Sequence, residues 1–307
     1  MSDIKIRQAN MNDTQAIAAL FQAQVPVWQR LDEQGRVEEP PYEKLTVYER
    51  WLHGGSWMSI ETAAIHLSHL ICGAGFPVVA EDDGNIVGYI EGYQGDEPTP
   101  YGNHLHIAHI TGSNAIKNTL MMHMVETVEK VTVAFSAYDS DSAAFYGQYG
   151  MQQMALVKSY TIPAKAGQGF YKATEHLKSN SEKINGWYMP IGRLQSSRQQ
   201  WETLWPPLWN AIPEIISQTT HRLQFSASGQ DAFVCCQQQL YTPRTIDVYC
   251  WSPKPLSQQL LTAISDWAYR QEYRSLSLAI PESTVTLLGG KFEETPYQQA
   301  VFATSDE

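Results

Sequence analysis

The stretch HITGSNAIKNTLMMHMVETV, residues 109–128, contains the strand-to-helix turn around which the rest of the chain can be interpreted. An apolar strand ends in it, a short polar turn follows, and apolar residues with helical spacing begin at once. A helix that starts directly after a strand presents unpaired backbone N–H groups, which can bind a phosphate. Because the turn has one glycine, Gly112, two interpretations stay open: a weakened phosphate site, or a helix start capped by Ser113 or Asn114 without a ligand.

The composition around this stretch is that of a globular protein. The chain has 307 residues, 43% hydrophobic and 17% charged, which is enough for two domains with apolar cores. No apolar run is long enough to cross a membrane, and the N-terminal residues lack the pattern of a secretory signal. A net charge of -11 disfavours nucleic acid as a partner. The four cysteines form no CxxC pair, so we expect reduced thiols in a cytoplasmic protein.

The residues before about 165 predict an α/β arrangement. A capped helix follows the strand at 4–7, residues 26–40 form a loop, and an Asp-Gly turn predicts a hairpin in PVVAEDDGNIVGYIEGY. The remaining predicted elements are helices at 42–53 and 57–72, a strand at 103–110, a helix to about 130, the strand VTVAFSAY, the short helix SDSAAFYGQYG and a strand around MQQMALVKSYTI. Strands joined through helices imply a mixed, mostly antiparallel sheet flanked by helices.

The same order of elements recurs in the second half. The Gly-, Lys-, Ser- and Asn-rich piece from Pro163 to Asn185 has no periodicity and predicts a linker. After it come predicted strands in GWYMPIGRL, LQFSAS, DAFVCCQQQLY, TIDVYCW, SLSLAIP and YQQAVFAT, with helices from Ser196, in LSQQLLTAISDWAYRQ and before LLGG. We therefore predict a diverged duplication, with domains at 1–165 and 186–307 and a linker at 166–185.

Three segments of the first half resemble the GNAT superfamily of acyl-CoA-dependent N-acetyltransferases. IKIRQANMNDTQAIAALF resembles that family's first strand and helix, and Leu105 to Lys130 stands in the place of its motif for the coenzyme A pyrophosphate. SAAFYGQYGMQ resembles its closing motif, an aromatic-Tyr pair followed after three residues by a glycine and an apolar residue. The two halves together resemble tandem GNAT proteins, in which one copy often loses its site.

The resemblance implies that the quoted turn grips the pyrophosphate of acetyl-CoA through backbone N–H groups. The family prefers small residues where this chain has Ala115 and Ile116, and its Arg or Gln is missing, although Lys117 can supply a cation. The residues predicted to contact the co-substrate are Ile110, Gly112, Ser113, Asn114, Ala115, Ile116, Lys117 and Asp141. Asp141 belongs to a short segment where the family often has an asparagine that contacts coenzyme A.

Tyr146 is the candidate acid. The resemblance places it where the family often holds the phenol that protonates the departing thiolate, and such a donor assists the loss of sulfur. The other interpretation is a tyrosine packed on a short amphipathic helix. The aligned position of the second half is Leu287 or Leu288, so that half lacks this acid.

A base that takes the proton of the amine is less well defined by the sequence. Glu91 follows the hairpin, and His104 and His106 share one face of the next strand while His109 lies on the other. We retain Glu91 and His106 as candidates, because either side chain can accept a proton directly or through water. Both also fit satisfied polar residues near a sheet end, and without a third ligand we expect no metal.

The second half offers fewer candidates. Its turn WSPKPLSQ, from Trp251 to Gln258, has no glycine, and its two prolines remove backbone donors, so we expect no pyrophosphate there. Trp201, Trp205 and Trp209 recur every four residues, and this spacing fits a packed helix face better than an aromatic wall for a ligand.

The sequence thus favours an enzyme that transfers an acetyl group from acetyl-CoA to the amine of a small molecule or peptide. The first domain would be the catalyst, and the second would shape the acceptor pocket or complete a pseudo-dimer, in a monomer or a homodimer. The alternative is a non-catalytic acyl-CoA-binding or scaffold protein with decayed sites. Departures from the family pattern in both turns motivate it.

Overall fold

The computed structural model describes residues 4–167, 170–178, 180–212, 215 and 219–304. The strands are β1 Lys5–Gln8, β2 Arg30–Leu31, β3 Val37–Glu38, β4 Phe76–Asp82, β5 Asn85–Glu97, β6 Gly102–Gly112, β7 Val131–Ser136, β8 Met151–Pro163, β9 Tyr171–Glu175, β10 Tyr188–Ile191, β11 Thr220–Ala227, β12 Gln230–Gln238, β13 Thr245–Ser252, β14 Ser275–Pro281 and β15 Glu293–Thr304. The α-helices are α1 Thr14–Gln22, α2 Val47–Trp51, α3 Ile60–His69, α4 Asn114–Thr127, α5 Ser140–Gly147, α6 Ser197–Leu204 and α7 Gln258–Arg270. Within the described ranges, no helix has the length and apolarity needed to cross a membrane.

Local sequence chemistry accounts for many of these boundaries. The tight turn between β4 and β5 uses Asp83 and Gly84, with φ values of 48° and 81°, as a two-residue hairpin requires. Ser196 caps α6 by accepting a hydrogen bond from the backbone N–H of Gln199, and Ser257 caps α7 through Leu260. The strand and helix positions predicted for the second half are therefore close to those observed.

Three predicted segments differ from the structure. The loop at 26–40 contains the short hairpin of β2 and β3, and the helix predicted at 42–53 divides into a 3-10 turn and α2. The predicted linker contains β9, which pairs with β11. The sequence did not predict β9 because the strand has no apolar run and therefore no hydrophobic periodicity.

The chain divides into two compact units, which we call unit 1 and unit 2. Unit 1 comprises Met1–Tyr93, Ile107–Thr127 and Pro207–Ser217. Its strands follow the order β1-β4-β5-β6, where β5 contributes its first part and β6 its last part. The core includes the fully buried side chains Ile17, Trp57, Leu67, Val79 and Tyr89.

Unit 2 comprises Gln94–His106, Val128–Pro206 and Gln218–Glu307. Its strand order is β5-β6-β7-β15-β8-β14-β13-β12-β11-β9, with β10 beside β13. β13 and β14 run parallel, whereas β15 is antiparallel to both β7 and β8. The prediction of an α/β fold with a mixed, mostly antiparallel sheet and flanking helices is confirmed.

Around its centre, the strand order of unit 2 is symmetric. On either side of the central pair β15 and β8, β7 corresponds to β14, β6 to β13 and β5 to β12. The last strand of each sequence half has crossed to the other half: β15 pairs with β7, and β8 pairs with β14. This exchange supports the internal duplication, while the boundaries 1–165, 166–185 and 186–307 stay a prediction.

Candidate functional site

The turn before α4 requires a glycine. Gly112 has a φ of 133°, which other residues rarely adopt. A Cβ there would stand 3.0 Å from the backbone oxygen of Val87 and 3.0 Å from Cγ2 of Ile116. Gly112 therefore lets the end of β6 pass close to β5 immediately before the helix begins.

Ile116 packs on the inner face of α4, against the sheet. Its Cγ2 lies over Gly88 of β5, and Leu120, one turn later, approaches the same glycine. Ile116 thus fills the space between the helix and the strands. Ser113, Asn114 and Ala115, at the start of the helix, remain exposed.

The helix start is also capped from within the chain. The hydroxyl oxygen of Ser113 accepts a hydrogen bond from the backbone N–H of Ile116 at 3.4 Å, as the capping alternative anticipates. Ile110 and Lys117 are half-buried. The contacts predicted between this segment and coenzyme A stay predictions.

Tyr146 lies on α5, in unit 2. Its ring is 7% exposed and stacks on Phe135 with 5.6 Å between ring centroids, while Phe145 meets it edge-on. No described residue forms a hydrogen bond with its hydroxyl. Burial, reinforced by the charge of Asp139, raises the pKa of Tyr146 to about 12, so the phenol keeps its proton at neutral pH.

The N-terminus of α5 is capped by the side chain of Asp139. Asp139 accepts hydrogen bonds from the backbone N–H and the hydroxyl of Ser142, at 3.0 and 2.6 Å. Asp141, the predicted coenzyme A contact, is exposed on the first turn of the helix.

Glu91 is the centre of a buried cluster in unit 1. The carboxylate accepts hydrogen bonds from the Tyr89 hydroxyl at 2.7 Å, from Nε1 of Trp57 at 3.3 Å and from Nε2 of His66 at 3.3 Å. Burial alone would raise its pKa, but His66, His109 and the Tyr89 hydroxyl outweigh that effect and hold the pKa of Glu91 at about 2. Such a carboxylate is a weak proton acceptor.

His109 is a site residue that the sequence did not single out. Its side chain is 44% exposed, and its Nε2 lies 4.0 Å from Oε1 of Glu91. The edge of its ring meets Phe21. The alternation of β6, which separates His109 from His104 and His106, was the available signal, but it did not indicate which face carries a carboxylate.

His106, the other predicted base, lies in unit 2 and is fully buried. Its Nδ1 lies 2.9 Å from the Thr132 hydroxyl, and its Nε2 lies 2.9 Å from Oε1 of Gln195. An amide oxygen only accepts, so Nε2 carries the proton and the Thr132 hydroxyl donates to Nδ1. Both ring nitrogens are thus engaged, which does not favour a direct role in proton transfer.

The tryptophans of the second half pack against other aromatic side chains. Trp201 and Trp205 stack in parallel with 4.3 Å between ring centroids and are fully buried, next to Trp251. Trp209 instead meets Trp51 within unit 1. Among the described residues, no group of three or more His, Cys, Asp or Glu side chains could hold a metal ion.

The fold is similar to those of solved acetyltransferases. A GCN5-related N-acetyltransferase from Anabaena variabilis superposes with a TM-score of 0.59 at 11% identity, covering 98% of this chain and 72% of that chain. One from Kribbella flavida gives 0.54 at 10% identity, with coverages of 98% and 71%. A conserved protein of unknown function from Enterococcus faecalis gives 0.54 at 14% identity, with coverages of 98% and 72%.

No protein-family model and no curated protein matches the sequence. The structural likeness nevertheless extends over nearly the whole chain, at identities that establish fold alone. The chain therefore has the GNAT fold, as its motifs predicted.

Proposed function

We propose that the chain is an N-acetyltransferase that moves an acetyl group from acetyl-CoA to the amine of a small molecule or peptide. The observation that carries this proposal is the start of α4, where exposed Ser113, Asn114 and Ala115 follow Gly112. A helix start of this kind suits a diphosphate. The likeness of fold supports the same class of reaction.

In this proposal the backbone of Ser113–Ala115 holds the diphosphate, with Lys117 as a nearby cation. Ile110 aligns the pantetheine arm through its backbone, and Asp141 stays a predicted contact. Ile116 supports the site indirectly, since its packing on Gly88 fixes the helix against the sheet. Acetyl-CoA supplies the activated thioester.

The reaction forms a C–N bond and breaks a C–S bond. The amine nitrogen attacks the thioester carbonyl, the electron pair of the C–S bond passes to sulfur, and His109 takes the proton that the amine loses. Coenzyme A leaves as the thiolate and is protonated by solvent, which balances the proton that His109 returns to solvent. Tyr146, with a pKa of about 12, donates a hydrogen bond to the developing thiolate. A thiol has a pKa of about 8.5, so Tyr146 stabilises the thiolate without surrendering its own proton.

His109 is the proposed proton acceptor, in preference to Glu91 and His106. It combines an accessible ring with a carboxylate 4.0 Å away, whose charge stabilises the imidazolium formed when the ring takes the proton. Glu91 is then a positioning residue. Replacing His109 by Gln should remove the acid limb of the pH–rate profile while leaving acetyl-CoA affinity unchanged, and His123→Gln on α4 is the matched control.

The direct experiment incubates the full chain with acetyl-CoA and a panel of primary amines and measures released thiol. Turnover with any amine, above the hydrolysis seen without one, supports the proposal. Thermal unfolding with acetyl-CoA is measured in parallel, because a ligand that binds the folded state alone raises the melting temperature. Absence of a shift at millimolar acetyl-CoA contradicts the proposal.

A second candidate is a non-catalytic acyl-CoA-binding or scaffold protein. The bond from the Ile116 backbone to Ser113 favours it, because this helix start already satisfies one of its own donors. A thermal shift without thiol release on any amine would favour the binding protein. We also propose a cytoplasmic location, which the four free cysteines support, and a monomer with an internal pseudo-dimer or a homodimer.

A further inference from the structure

A cavity of about 470 Å³ is lined entirely by residues of unit 2. Its wall consists of residues 97–101, 154–156, 188–190, 255–256 and 281–284, together with Arg193. Five of these residues are prolines, which lack a backbone donor, and seven of the other thirteen carry aliphatic, methionine or tyrosine side chains. A volume and lining of this kind are typical of a site for a small organic molecule.

One wall of the cavity contains a buried ion pair. Nε and Nη2 of Arg193 donate to the two carboxylate oxygens of Glu97 at 2.7 and 3.0 Å, and the backbone N–H of Ser197 donates to the same carboxylate at 3.1 Å. Arg193 and Glu97 are 2% and 3% exposed. The pair carries no net charge, so an ionic ligand would find no counter-charge in it.

The ion pair leaves one donor unused. Among the residues that the structure describes, none accepts a hydrogen bond from Nη1 of Arg193, although that atom is buried. The ring of Tyr101, which also lines the cavity, covers one face of the guanidinium with 3.4 Å between its centroid and Cζ. A buried charged N–H without an acceptor is costly, so a ligand that supplies an acceptor there gains that energy on binding.

The surroundings of the ion pair disfavour an anion. Glu97 already carries a negative charge, and Glu282 at the cavity wall is paired with Lys158 at 2.7 Å. Burial lowers the pKa of His104, which lies 3.5 Å from Glu97, so the imidazole adds no positive charge at neutral pH. Pro255, part of the second-half turn, removes a backbone donor that a phosphate would need.

We propose that this cavity binds an uncharged, largely apolar molecule whose carbonyl oxygen accepts a hydrogen bond from Nη1 of Arg193. Because Nη1 exposes almost no surface, the carbonyl reaches it after a small rotation of the Arg193 or Tyr101 side chain. The apolar wall takes the rest of the molecule, and the neutral ion pair accepts a carbonyl without an added charge. This site is independent of the proposed acetyl transfer.

Three probes of similar size test the chemistry: acetanilide, which is a neutral amide; n-propylbenzene, which has no acceptor; and phenylacetate, which is an anion. Their dissociation constants are measured on the full chain without acetyl-CoA by ligand-observed NMR. Acetanilide should bind at least about tenfold more tightly than either of the others, as expected for a hydrogen bond to a charged donor. Equal affinity for n-propylbenzene, tighter binding of phenylacetate, or no binding of acetanilide at millimolar concentration would overturn the proposal.

Two variants locate the probe. Ala155→Phe fills the cavity and should abolish acetanilide binding, whereas Ala166→Phe, at an exposed position, should not. The double variant Glu97→Gln with Arg193→Met removes the donor without leaving an unpaired charge, and should lower acetanilide affinity to that of n-propylbenzene. A thermal melt identifies the variants that are folded. Unchanged acetanilide binding in a folded Ala155→Phe or double variant contradicts the assignment.

Discussion

Two strand–turn–helix segments occupy equivalent places in the duplicated chain, and they differ in how their turns are closed. Between β6 and α4, Gly112 adopts a φ of 133° and the next three residues are exposed. Between β13 and α7, buried Gln230 donates to the carbonyl of Pro255 and to the hydroxyl of Ser252, both at 2.9 Å. The first turn keeps backbone groups available, and the second uses its polar groups internally.

We relate this difference between the turns to the two kinds of ligand that we propose. An exposed helix start with a glycine suits the charged end of an acyl-CoA. A proline-containing turn beside an apolar cavity and a neutral ion pair suits an uncharged molecule. Under our two proposals, similar strand–turn–helix segments of the two halves therefore lie beside sites for ligands of different chemistry.

Breaking the buried ion pair between Glu97 and Arg193 should have the largest effect. Arg193→Met leaves Glu97 buried without its partner and should lower the free energy of unfolding by about 3–5 kcal/mol at neutral pH. Urea denaturation measures the loss. Arg36→Met, which removes an exposed partner of Asp32, should cost far less.

The pH dependence of the stability of Arg193→Met tests whether the loss comes from the unpaired Glu97 carboxylate. In the parent, burial works to raise the pKa of Glu97, but Arg193 outweighs it and the pKa is lowered, so stability is lost as the pH falls. In Arg193→Met the pKa of Glu97 is raised instead, which favours the protonated, folded form at low pH. The difference in stability between parent and variant should therefore shrink on acidification from pH 7 to 4; a constant difference would rule out an uncompensated carboxylate.

The next largest effect concerns the packing of the first turn. Gly88→Ala places a Cβ on Cγ2 of Ile116 and 3.1 Å from the backbone oxygen of Thr111. This overpacking should cost about 1–3 kcal/mol in unfolding free energy and weaken acetyl-CoA binding by moving the start of α4. Gly290→Ala, where a Cβ meets nothing within 4 Å, is the matched control. Equal stabilities of the two variants would show that α4 is not held at Gly88.

In the first half of the chain, Tyr146→Phe tests the proposed role in catalysis. Loss of the hydroxyl should lower kcat about tenfold to hundredfold without changing acetyl-CoA affinity, since the hydrogen bond forms as the thiolate develops. Thiol release measures kcat, and Tyr138→Phe at an exposed position should leave it unchanged. An unaltered kcat in Tyr146→Phe would show that Tyr146 only packs in the core and takes no part in catalysis.

The last prediction concerns the Glu91 cluster and is confined to acidic pH. Its pKa of about 2 lies below the ordinary 4.5, so its contribution to stability is complete above pH 4.5 and is lost as the pH falls towards 2. The urea midpoint of the parent should fall more steeply between pH 5 and 2.5 than that of Glu91→Gln. Parallel curves would show that Glu91 is not held ionised by its neighbours.

Sequence patterns predicted most of the fold because its local signals agree with its packing. The Asp83-Gly84 turn, the serine caps and the strand alternation each specify an element from a few adjacent residues. These local signals could not predict the exchange of β8 and β15. Each of the two final strands can pair within its own half or with the other half, and the residues next to them in sequence do not distinguish the two arrangements.

The candidate site was predictable only in part. The aromatic-Tyr pair of SAAFYGQYGMQ made Tyr146 a candidate, which stays a prediction, and Gly112 indicated where the helix starts. The environment of Glu91 comes from Trp57, His66 and His109 on three separate elements, and the pair Glu97–Arg193 is 96 residues apart. Contacts of that range depend on the tertiary fold, so neither the weak basicity of Glu91 nor the ion pair could be read from spacing.

The number of acetyl-CoA molecules bound per chain tests the central comparison most directly. Isothermal titration of the full chain should give one acetyl-CoA per chain, bound by the first turn and weakened by Gly112→Ala, whereas Gly229→Ala, which also has a positive φ but no neighbour within 4 Å, should bind normally. Two molecules per chain, or one whose affinity is unaffected by Gly112→Ala, would contradict the account, as would the absence of binding.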